Sequence, residues 1–328
     1  MISLPSQLPD HHLDEFSVPT DCGSVVHGYS RGLSIEQSEA NAVLVLIHGY
    51  PMTNLLWRHV IKNLPDDIPL FVPDIPGYGN STPSKTGHDK ATIGKAILDA
   101  LNKVLQNDPT KPPRRIVLAG HDRGARISHR LSVDAGEFSD KFTIIGTILM
   151  DIVPTVVQWH GMKNPVEAAG FFHWPFLANV ELATSMILKV GGDVFIRSLC
   201  ERWLGDLTYP GRRSLIQDGA QQAYEETFKR ESVIRAACLD YEAAATVDVD
   251  RQKYDQEHGR KIQIPTLVLH CSALGRRFSM TDTWEEWVAD GKNLLSVMEI
   301  GEGAGHSFPE EAPETTAKAM LEWIRRYN

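Results

Sequence analysis

Short, uninterrupted apolar runs recur along the chain and are separated by longer stretches of mixed polar and apolar positions. Apolar runs without alternation are typical of parallel strands that are covered on both faces, because such strands have no solvent-facing side. Strands are predicted over the largely apolar stretches 42–47, 70–74, 115–119, 143–150 and 266–270, and also over 25–29 and 295–300, which contain polar residues. Residues 1–20 are polar and contain prolines, which indicates an arm or a loose first strand.

Amphipathic stretches predict helices over about 92–106 and from the end of the 115–119 run to about Val133. Strands that alternate with helices predict a parallel, doubly covered sheet. Between Val153 and Lys261 this alternation stops, and aromatic and amphipathic helical segments follow one another without a convincing strand. We therefore predict an α/β fold with a mostly parallel sheet, a core domain of residues 1–155 and 261–328, and an inserted helical cap of residues 156–260.

Composition excludes several classes of protein. The 328 residues are 42% hydrophobic, enough for one large core with an insertion, and the net charge of −9 argues against binding to nucleic-acid phosphates. We expect a cytoplasmic protein without a membrane segment, because the chain shows neither a signal-peptide pattern nor an apolar run near the ~20 residues that span a bilayer. Four separated cysteines without a CxxC pair predict buried free thiols rather than a zinc site or disulfides: Cys22, Cys200, Cys238 and Cys271.

The Gly120-x-Asp122-x-Gly124 pentad directly follows the 115–119 run and leads into a predicted helix. This strand, tight turn and helix form the pattern of a nucleophile elbow, in which flanking glycines let the central residue stand exposed in strained backbone geometry. A carboxylate is ionised at neutral pH and becomes a nucleophile without a general base. Asp122 is therefore expected to attack a saturated carbon that bears a leaving group. The alternative is an ordinary helix-capping aspartate.

Two further residues complete a catalytic order along the chain. Asp151 follows the 143–150 run, where the carboxyl end of a parallel strand positions an acid to orient a histidine. The competing strand, 266–270, has no carboxylate before Asp282. His306 is the one histidine of thirteen that follows the last predicted strand, on a glycine-rich loop. The alternatives are an aspartate that caps the turn before Pro154 and a surface histidine.

An oxyanion hole is predicted from the loop His48-Gly49-Tyr50-Pro51, which follows the 42–47 run. In a hydrolase of this layout the backbone N–H groups of Tyr50 and of Arg123, the residue after the nucleophile, donate to the developing oxyanion. His48 is expected to brace the loop by hydrogen bonds. The glycines of residues 75–81 lack a phosphate-binding spacing, so nucleotide binding is not predicted.

Together these motifs resemble the α/β-hydrolase superfamily, and specifically its fluoroacetate or haloacetate dehalogenases. The likeness runs from about residue 20 to the C-terminus. The shared motifs are His48-Gly49-Tyr50-Pro51, Asp122-Arg123-Gly124-Ala125-Arg126, Met150-Asp151-Ile152-Val153-Pro154-Thr155, His173-Trp174, Asp240-Tyr241, and Gly305-His306 followed by Pro309-Glu310-Glu311-Ala312-Pro313.

The resemblance implies an α/β-hydrolase fold and a role for each matching residue. Asp122 would be the nucleophile, His306 the base and Asp151 its orienting acid. Arg123 and Arg126 would bind the substrate carboxylate, for which two guanidinium forks at a helix N-terminus are suited. The leaving halide would be bound by three hydrogen-bond donors that, without the resemblance, we would interpret as packing residues: His173, Trp174 and Tyr241.

The resemblance further implies a small anionic substrate, no metal or cofactor, and a homodimer. Met52, Glu242 and residues 274–277 depart from the family pattern, which affects the expected substrate range more than the reaction class.

Three other functions stay open. An epoxide hydrolase would use the same triad with Tyr241 and a second tyrosine, namely Tyr209, Tyr224 or Tyr254, although the arginine pair argues against it. A dehalogenase of larger 2-halo acids differs only in pocket volume. A ligand-binding receptor or silent scaffold would keep the pocket without turnover.

Overall fold

The computed structural model describes residues 12–33, 41–107 and 110–327, and its strands form one eight-stranded sheet. The strand order is β1-β2-β4-β3-β5-β6-β7-β8. Strand β2 is antiparallel to both of its neighbours, whereas every other neighbouring pair is parallel. The strands are β1 (Asp14–Pro19), β2 (Val25–Arg31), β3 (Val43–Ile47), β4 (Leu70–Pro73), β5 (Arg114–His121), β6 (Phe142–Met150), β7 (Thr266–His270) and β8 (Leu295–Glu299).

Every apolar run predicted as a strand is a strand, and the predicted mostly parallel α/β fold is confirmed. All residues of β3, β4 and β7 are buried, so both faces of the central sheet are covered, and this explains why these runs do not alternate. Strand β8 at the sheet edge is partly exposed. Of the N-terminal segment, β1 is the predicted loose first strand, while residues 1–11 lie outside the described part of the chain.

Helices connect the strands and fill the whole stretch between β6 and β7 within the described residues. They are α1 (Arg58–Lys62), α2 (Lys90–Leu105), α3 (Arg123–Val133), α4 (Thr155–Gly161), α5 (Pro165–Gly170), α6 (His173–Ala178), α7 (Val180–Val190), α8 (Gly192–Trp203), α9 (Ser214–Gln217), α10 (Ala220–Thr227), α11 (Glu231–Ala245), α12 (Val247–Glu257), α13 (Ser272–Gly275), α14 (Met280–Glu285), α15 (Gly291–Leu294), α16 (Phe308–Glu311) and α17 (Pro313–Ile324). Short 3-10 helices span Asn54–Trp57, Ala135–Phe138 and Pro210–Arg213.

Helices α4 to α12 occupy the segment for which a cap was predicted, and α11 packs against α6 and α7 within it. The division into domains at residues 155 and 261 stays a prediction. None of the helices in the described ranges has the length and apolar character needed to cross a membrane.

The carboxyl ends of the parallel strands bring the predicted motifs to one edge of the sheet. Strand β5 leads to Asp122, β6 to Asp151, β3 to Tyr50, and the loop after β8 carries His306. Glycine is required at position 124, because a Cβ there would overlap the backbone carbonyl of Ile47 at the end of β3. The close approach of α3 to β3 therefore depends on the pentad.

Candidate active site

Asp122 stands in the sharp turn between β5 and α3, with φ 46° and ψ −111°. Few residues other than glycine adopt such a conformation, and strain of this kind concentrates at functional sites. The backbone N–H of Asp122 donates to the carbonyl of Met150 over 3.0 Å, which ties the turn to β6. Asp122 also lines a cavity of about 440 Å³. The predicted elbow geometry is thus present.

The surroundings of Asp122 keep its carboxylate ionised. Burial alone raises the pKa of Asp122, but the positive charges of His306 and Arg123 outweigh burial, and the net pKa is lowered. Its Oδ2 accepts a hydrogen bond of 3.1 Å from the backbone N–H of Tyr50. Oδ1 is the oxygen that faces His306. The two oxygens therefore occupy different environments before any substrate is bound.

Asp151 and His306 form a close pair. His306 Nδ1 lies 2.6 Å from Asp151 Oδ2, and Asp151 Oδ1 accepts a hydrogen bond of 2.8 Å from the backbone N–H of Cys271. Burial lowers the pKa of His306, but the hydrogen bond with Asp151 and the charge of Asp151 outweigh it, so the net pKa is raised. Because Nδ1 donates to Asp151, neutral His306 presents the lone pair of Nε2 towards the cavity.

His306 Nε2 lies 4.0 Å from Asp122 Oδ1. This distance is too long for a direct hydrogen bond. The structure thus brings the three predicted triad residues together, with the histidine beside the carboxylate rather than bonded to it.

The predicted oxyanion-hole donors also meet at Asp122. Tyr50 N–H already donates to Oδ2, and Arg123 is the first residue of α3, so its N–H has no acceptor within the helix. His48 braces the Tyr50 loop as expected. Its Nδ1 donates to the Gly49 carbonyl, and its Nε2 accepts from the backbone N–H of Ile75, each over 2.9 Å.

Arg126 faces the cavity. Its Nη1 donates to the Val153 carbonyl over 2.9 Å and to Thr155 Oγ1 over 3.1 Å, while Nη2 has no hydrogen-bond partner among the described residues. The guanidinium lies over the Trp174 ring, 4.6 Å from its centroid. Burial and the charge of Arg123 lower the pKa of Arg126 to about 10, so it remains cationic at neutral pH.

Arg123 differs from the expectation that both arginines hold the substrate carboxylate. Its side chain is fully buried, and it is not among the described residues that line the cavity. Nε and Nη2 form a bidentate pair with Asp240 of α11, over 2.7 and 2.8 Å, and Nη2 also donates to the Asp240 carbonyl. Two of the three guanidinium nitrogens of Arg123 are thus bound to Asp240, while its buried Nη1 has no hydrogen-bond partner among the described residues.

A buried charge network explains the position of Arg123. Asp240 also forms an ion pair with Lys90 at the start of α2 and accepts a hydrogen bond of 3.0 Å from Tyr78. Asp248 of α12 lies 3.3 Å from the same ammonium group. In the sequence Asp240 is visible only as half of an Asp-Tyr motif, because nothing in the local pattern indicates that it pairs with Arg123, 117 residues away.

The three predicted halide donors share the cavity with Asp122: His173, Trp174 and Tyr241. All three are buried, and none of their side-chain donors has a hydrogen-bond partner within the described part of the chain. The Tyr241 ring meets those of His173 and Trp174 edge-on, with centroids 5.8 and 5.6 Å apart. Burial lowers the pKa of His173 to about 3, so its imidazole is neutral and donates through one N–H.

The segment after α8 is fastened to the catalytic loop by contacts that sequence reasoning missed. The N–H of His306 donates to the Trp203 carbonyl over 3.0 Å. Glu311 accepts hydrogen bonds from the N–H groups of Gly205 and Gly305, over 3.0 and 3.1 Å to the same oxygen. Burial raises the pKa of Glu311 to about 7. Glu311 lies in a motif that the sequence displayed, but only its contacts indicate a positioning role.

His121 also contacts the His306 loop, which the sequence did not indicate. Its Nε2 donates to the backbone carbonyl of His306 over 2.8 Å, and the two rings lie 4.7 Å apart. Burial and the charge of His306 lower the pKa of His121 to about 4, so it is neutral at pH 7. A neutral ring in this position holds the His306 loop without adding a competing charge.

The tyrosines considered for an epoxide hydrolase lie apart from the cavity, except for Tyr241. Tyr224 donates to Glu310 over 2.6 Å, Tyr254 is half exposed and stacked on His258, and Tyr209 packs on the glycine loop at Gly301. Tyr50 lines the cavity, and its hydroxyl is buried without a hydrogen-bond partner among the described residues.

Of the departures from the family pattern, residues 274, 276 and 277 line the cavity, whereas Met52 and Glu242 do not. Trp203 and Gln158 are further lining residues that the sequence did not indicate. All four cysteines are buried free thiols, and no cluster of three or more metal-ligating side chains occurs in the described residues.

Residues 44–319 match the model of the alpha/beta hydrolase family. The chain belongs to this family. The sharp turn at Asp122 follows the central strand β5, and the predicted resemblance is confirmed at the level of the family. The geometry and the family match together identify a hydrolase.

Relatives of this α/β hydrolase differ in activity. A fluoroacetate dehalogenase of Burkholderia sp is 26% identical over 281 residues, which make up 86% of each chain. A soluble epoxide hydrolase of Corynebacterium sp. (strain C12) is 24% identical over 285 residues, 86% of this chain and 89% of the relative. A solved structure from Nostoc sp PCC 7120 is 28% identical with a TM-score of 0.78, covering 95% of this chain and 98% of that one.

Proposed function

We propose that this α/β hydrolase is a hydrolytic dehalogenase of 2-halo acids, with chloroacetate and fluoroacetate as the simplest substrates. The observation that carries the proposal is the composition of the cavity. An ionised Asp122, a cationic Arg126 and three hydrogen-bond donors without acceptors among the described residues line it together. A nucleophile, a carboxylate-binding cation and donors for a leaving anion are what halide displacement requires.

The first step is a displacement at C2 of the substrate. Asp122 Oδ1 forms a bond to C2, the carbon–halogen bond breaks, and its electron pair leaves with the halide. Arg126 orients the substrate through its carboxylate. His173, Trp174 and Tyr241 donate to the halide, and these bonds strengthen as the negative charge develops, so they favour the transition state over the bound substrate. The product of this step is an ester of Asp122.

The second step is hydrolysis of this ester. His306 Nε2 accepts a proton from a water molecule, and the resulting hydroxide attacks the ester carbonyl carbon of Asp122. The carbonyl oxygen is Oδ2, which already lies against the N–H of Tyr50, so the oxyanion forms where its donors stand. When the intermediate collapses, the ester C–O bond breaks, His306 gives its proton to the leaving alkoxide to form the 2-hydroxy acid, and the Asp122 carboxylic acid loses its proton to solvent and becomes the carboxylate again. In total one water is consumed, and one halide and one proton are released.

The pKa of His306 changes in the direction that this sequence of steps needs. The negative charge of Asp122 contributes to the raised pKa of His306 in the free enzyme. Ester formation removes that charge, which lowers the pKa of His306 at the moment when a neutral base is required. Arg123 supports both steps indirectly, because its pairing with Asp240 holds the elbow and its own N–H in place.

The test measures halide and glycolate release from chloroacetate and fluoroacetate, beside turnover of a racemic epoxide such as styrene oxide. Release from the acids that is abolished in Asp122→Asn supports the proposal. Epoxide turnover without halide release from either acid would refute it and favour the epoxide hydrolase. Tyr50 and Tyr241 would then be the tyrosines that face the substrate, since both line the cavity.

A further inference from the structure

The cavity is larger than the proposed reaction needs. Its volume of about 440 Å³ falls in the range of about 300–1,000 Å³ that is typical of pockets for drug-sized ligands. Chloroacetate has only a handful of heavy atoms. The groups assigned to halide displacement are all buried, whereas the cavity also extends to exposed residues at its open end. The substrate therefore has room for a part that reaches beyond the reacting carbon.

Two arginines of the cavity lining have no carboxylate partner among the described residues, and one of them, Arg202, lies over the Phe172 ring, 5.6 Å from its centroid. Arg202 and Arg276 both line the cavity and are exposed, and neither forms an ion pair with a carboxylate of the described residues. Arg276 also borders a neighbouring surface groove that contains Glu299 and Glu302, but it pairs with neither. Asp206 contributes one opposing charge to the lining.

Arg277, which also lines the cavity, differs from these two arginines because its guanidinium is held by protein groups. It lies over the Phe171 ring, 3.9 Å from its centroid, and pairs with Glu167 through Nε over 2.6 Å. Arg202 and Arg276 lack any such carboxylate in the described part of the chain. Two guanidinium groups that remain unpaired at the mouth of a catalytic cavity are suited to an anionic group of the ligand.

The cavity wall also favours a polar ligand over an alkyl chain. Gln158 is 3% exposed, lines the cavity, and its Nε2 has no hydrogen-bond partner among the described residues. An apolar chain against this part of the wall would lie beside an unsatisfied buried amide, which is unfavourable. The polar character of this wall therefore agrees with a polar or charged extension of the substrate.

We propose that the preferred substrates are 2-halo acids with a second anionic group, such as 2-halo dicarboxylic acids. One carboxylate binds Arg126 beside the nucleophile, and the distal carboxylate binds Arg202 and Arg276 at the open end. The reaction is the one proposed above, so this inference rests on the proposed function, and the products are the corresponding 2-hydroxy dicarboxylic acids, a halide ion and a proton.

The experiment compares kcat/KM for 2-chlorosuccinate and 2-chloroadipate with that for 2-chloro-4-methylpentanoate and chloroacetate. The methylpentanoate matches chlorosuccinate in shape, with two methyl groups in place of the two distal oxygens. We expect at least one dicarboxylate to exceed the methylpentanoate by about tenfold or more. We also expect this advantage to shrink as salt is added, because exposed charges are screened.

Two variants assign the effect to the open end of the cavity. Arg202→Gln and Arg276→Gln are each expected to lower the ratio of kcat/KM for the dicarboxylate to that for chloroacetate by about fivefold, the size of an exposed ion pair. Arg213→Gln is the matched control, because Arg213 is also exposed in the inserted helical segment but does not line the cavity. Its ratio is expected to stay at the wild-type value.

The outcomes separate this inference from the proposed function. Chloroacetate turnover with dicarboxylates no better than the methylpentanoate overturns the inference and leaves the dehalogenase proposal intact. A dicarboxylate advantage that survives in the double variant Arg202→Gln/Arg276→Gln also overturns it. If no halo acid releases halide, chloroacetate included, the proposed function itself fails.

Discussion

Arg123 and Arg126 lie one helical turn apart on α3, yet removal of their charges is expected to affect stability differently. The pKa of Arg126 falls from 12.5 to about 10, which means that the folded protein disfavours this charge by about 3 kcal/mol. Its hydrogen bonds to Val153 and Thr155 stabilise the folded protein by about 1 kcal/mol each, which offsets part of this cost. Arg126→Met is therefore expected to keep the free energy of unfolding or to raise it by about 1 kcal/mol.

Arg123→Met is expected to have the opposite effect. Arg123 is paired with buried Asp240, and removal of one partner of a buried ion pair typically costs about 3–5 kcal/mol because a buried charge is left behind. Lys90 remains beside Asp240 and compensates in part, so we expect the lower end of this range.

Urea unfolding followed by tryptophan fluorescence measures both stabilities, and halide release measures activity. Arg126→Met is expected to lower kcat/KM for chloroacetate by about 100-fold or more, since charge-assisted hydrogen bonds contribute about 1.5–3 kcal/mol each. The reasoning is refuted if both variants lose stability equally. It is also refuted if Arg123→Met remains stable and loses substrate binding while Arg126→Met does not.

Three further predictions follow from the site. The kcat is expected to decrease as the pH falls through the pKa of His306 in the ester intermediate, which lies below its raised pKa in the free enzyme because Asp122 is then uncharged. In the free enzyme the stability from the pairing of His306 with Asp151 is complete below pH 6.5 and is lost as the pH rises through the raised folded pKa, and pH–rate and pH–stability profiles check both signs. Glu311→Ala is expected to lower kcat about tenfold at unchanged KM, and Glu311→Gln, which keeps an acceptor for Gly305, to restore most of it; equal defects would argue against positioning. Tyr241→Phe is expected to lower kcat about tenfold or more with little change in stability, because the phenol hydroxyl donates to the leaving halide. Halide release and urea unfolding measure the two effects, and an unchanged kcat would show that Tyr241 does not bind the halide.

Much of the fold was predictable because its signals are local. Buried strands such as β3 and β4 carry an apolar residue at every position, and this pattern is visible in the sequence. The elbow at Asp122 was predictable for a different reason, since glycine at position 124 is dictated by the approach of α3 to the end of β3. Asp151 and His306 were then predictable because each of them follows a later predicted strand along the chain.

The pairing of charges was not predictable, because an ion pair between distant segments leaves no periodic pattern. Arg123 was assigned to the substrate together with Arg126, although Asp240 and Lys90 enclose it in a buried network. Glu311 was recognised only as part of a motif, because its acceptors for the Gly205 and Gly305 amides depend on how the segment after α8 meets the catalytic loop. Cavity volume likewise depends on packing and not on any one residue.

The most direct test of the central claim is a single turnover of excess enzyme with chloroacetate in water enriched in oxygen-18. If Asp122 attacks the substrate, the glycolate hydroxyl takes its oxygen from the unlabelled carboxylate, and the heavy isotope appears in Asp122, as mass spectrometry of the product and of the Asp122 peptide would show. Labelled glycolate from the first turnover, together with an unlabelled Asp122, would show that water displaces the halide directly and would contradict the account.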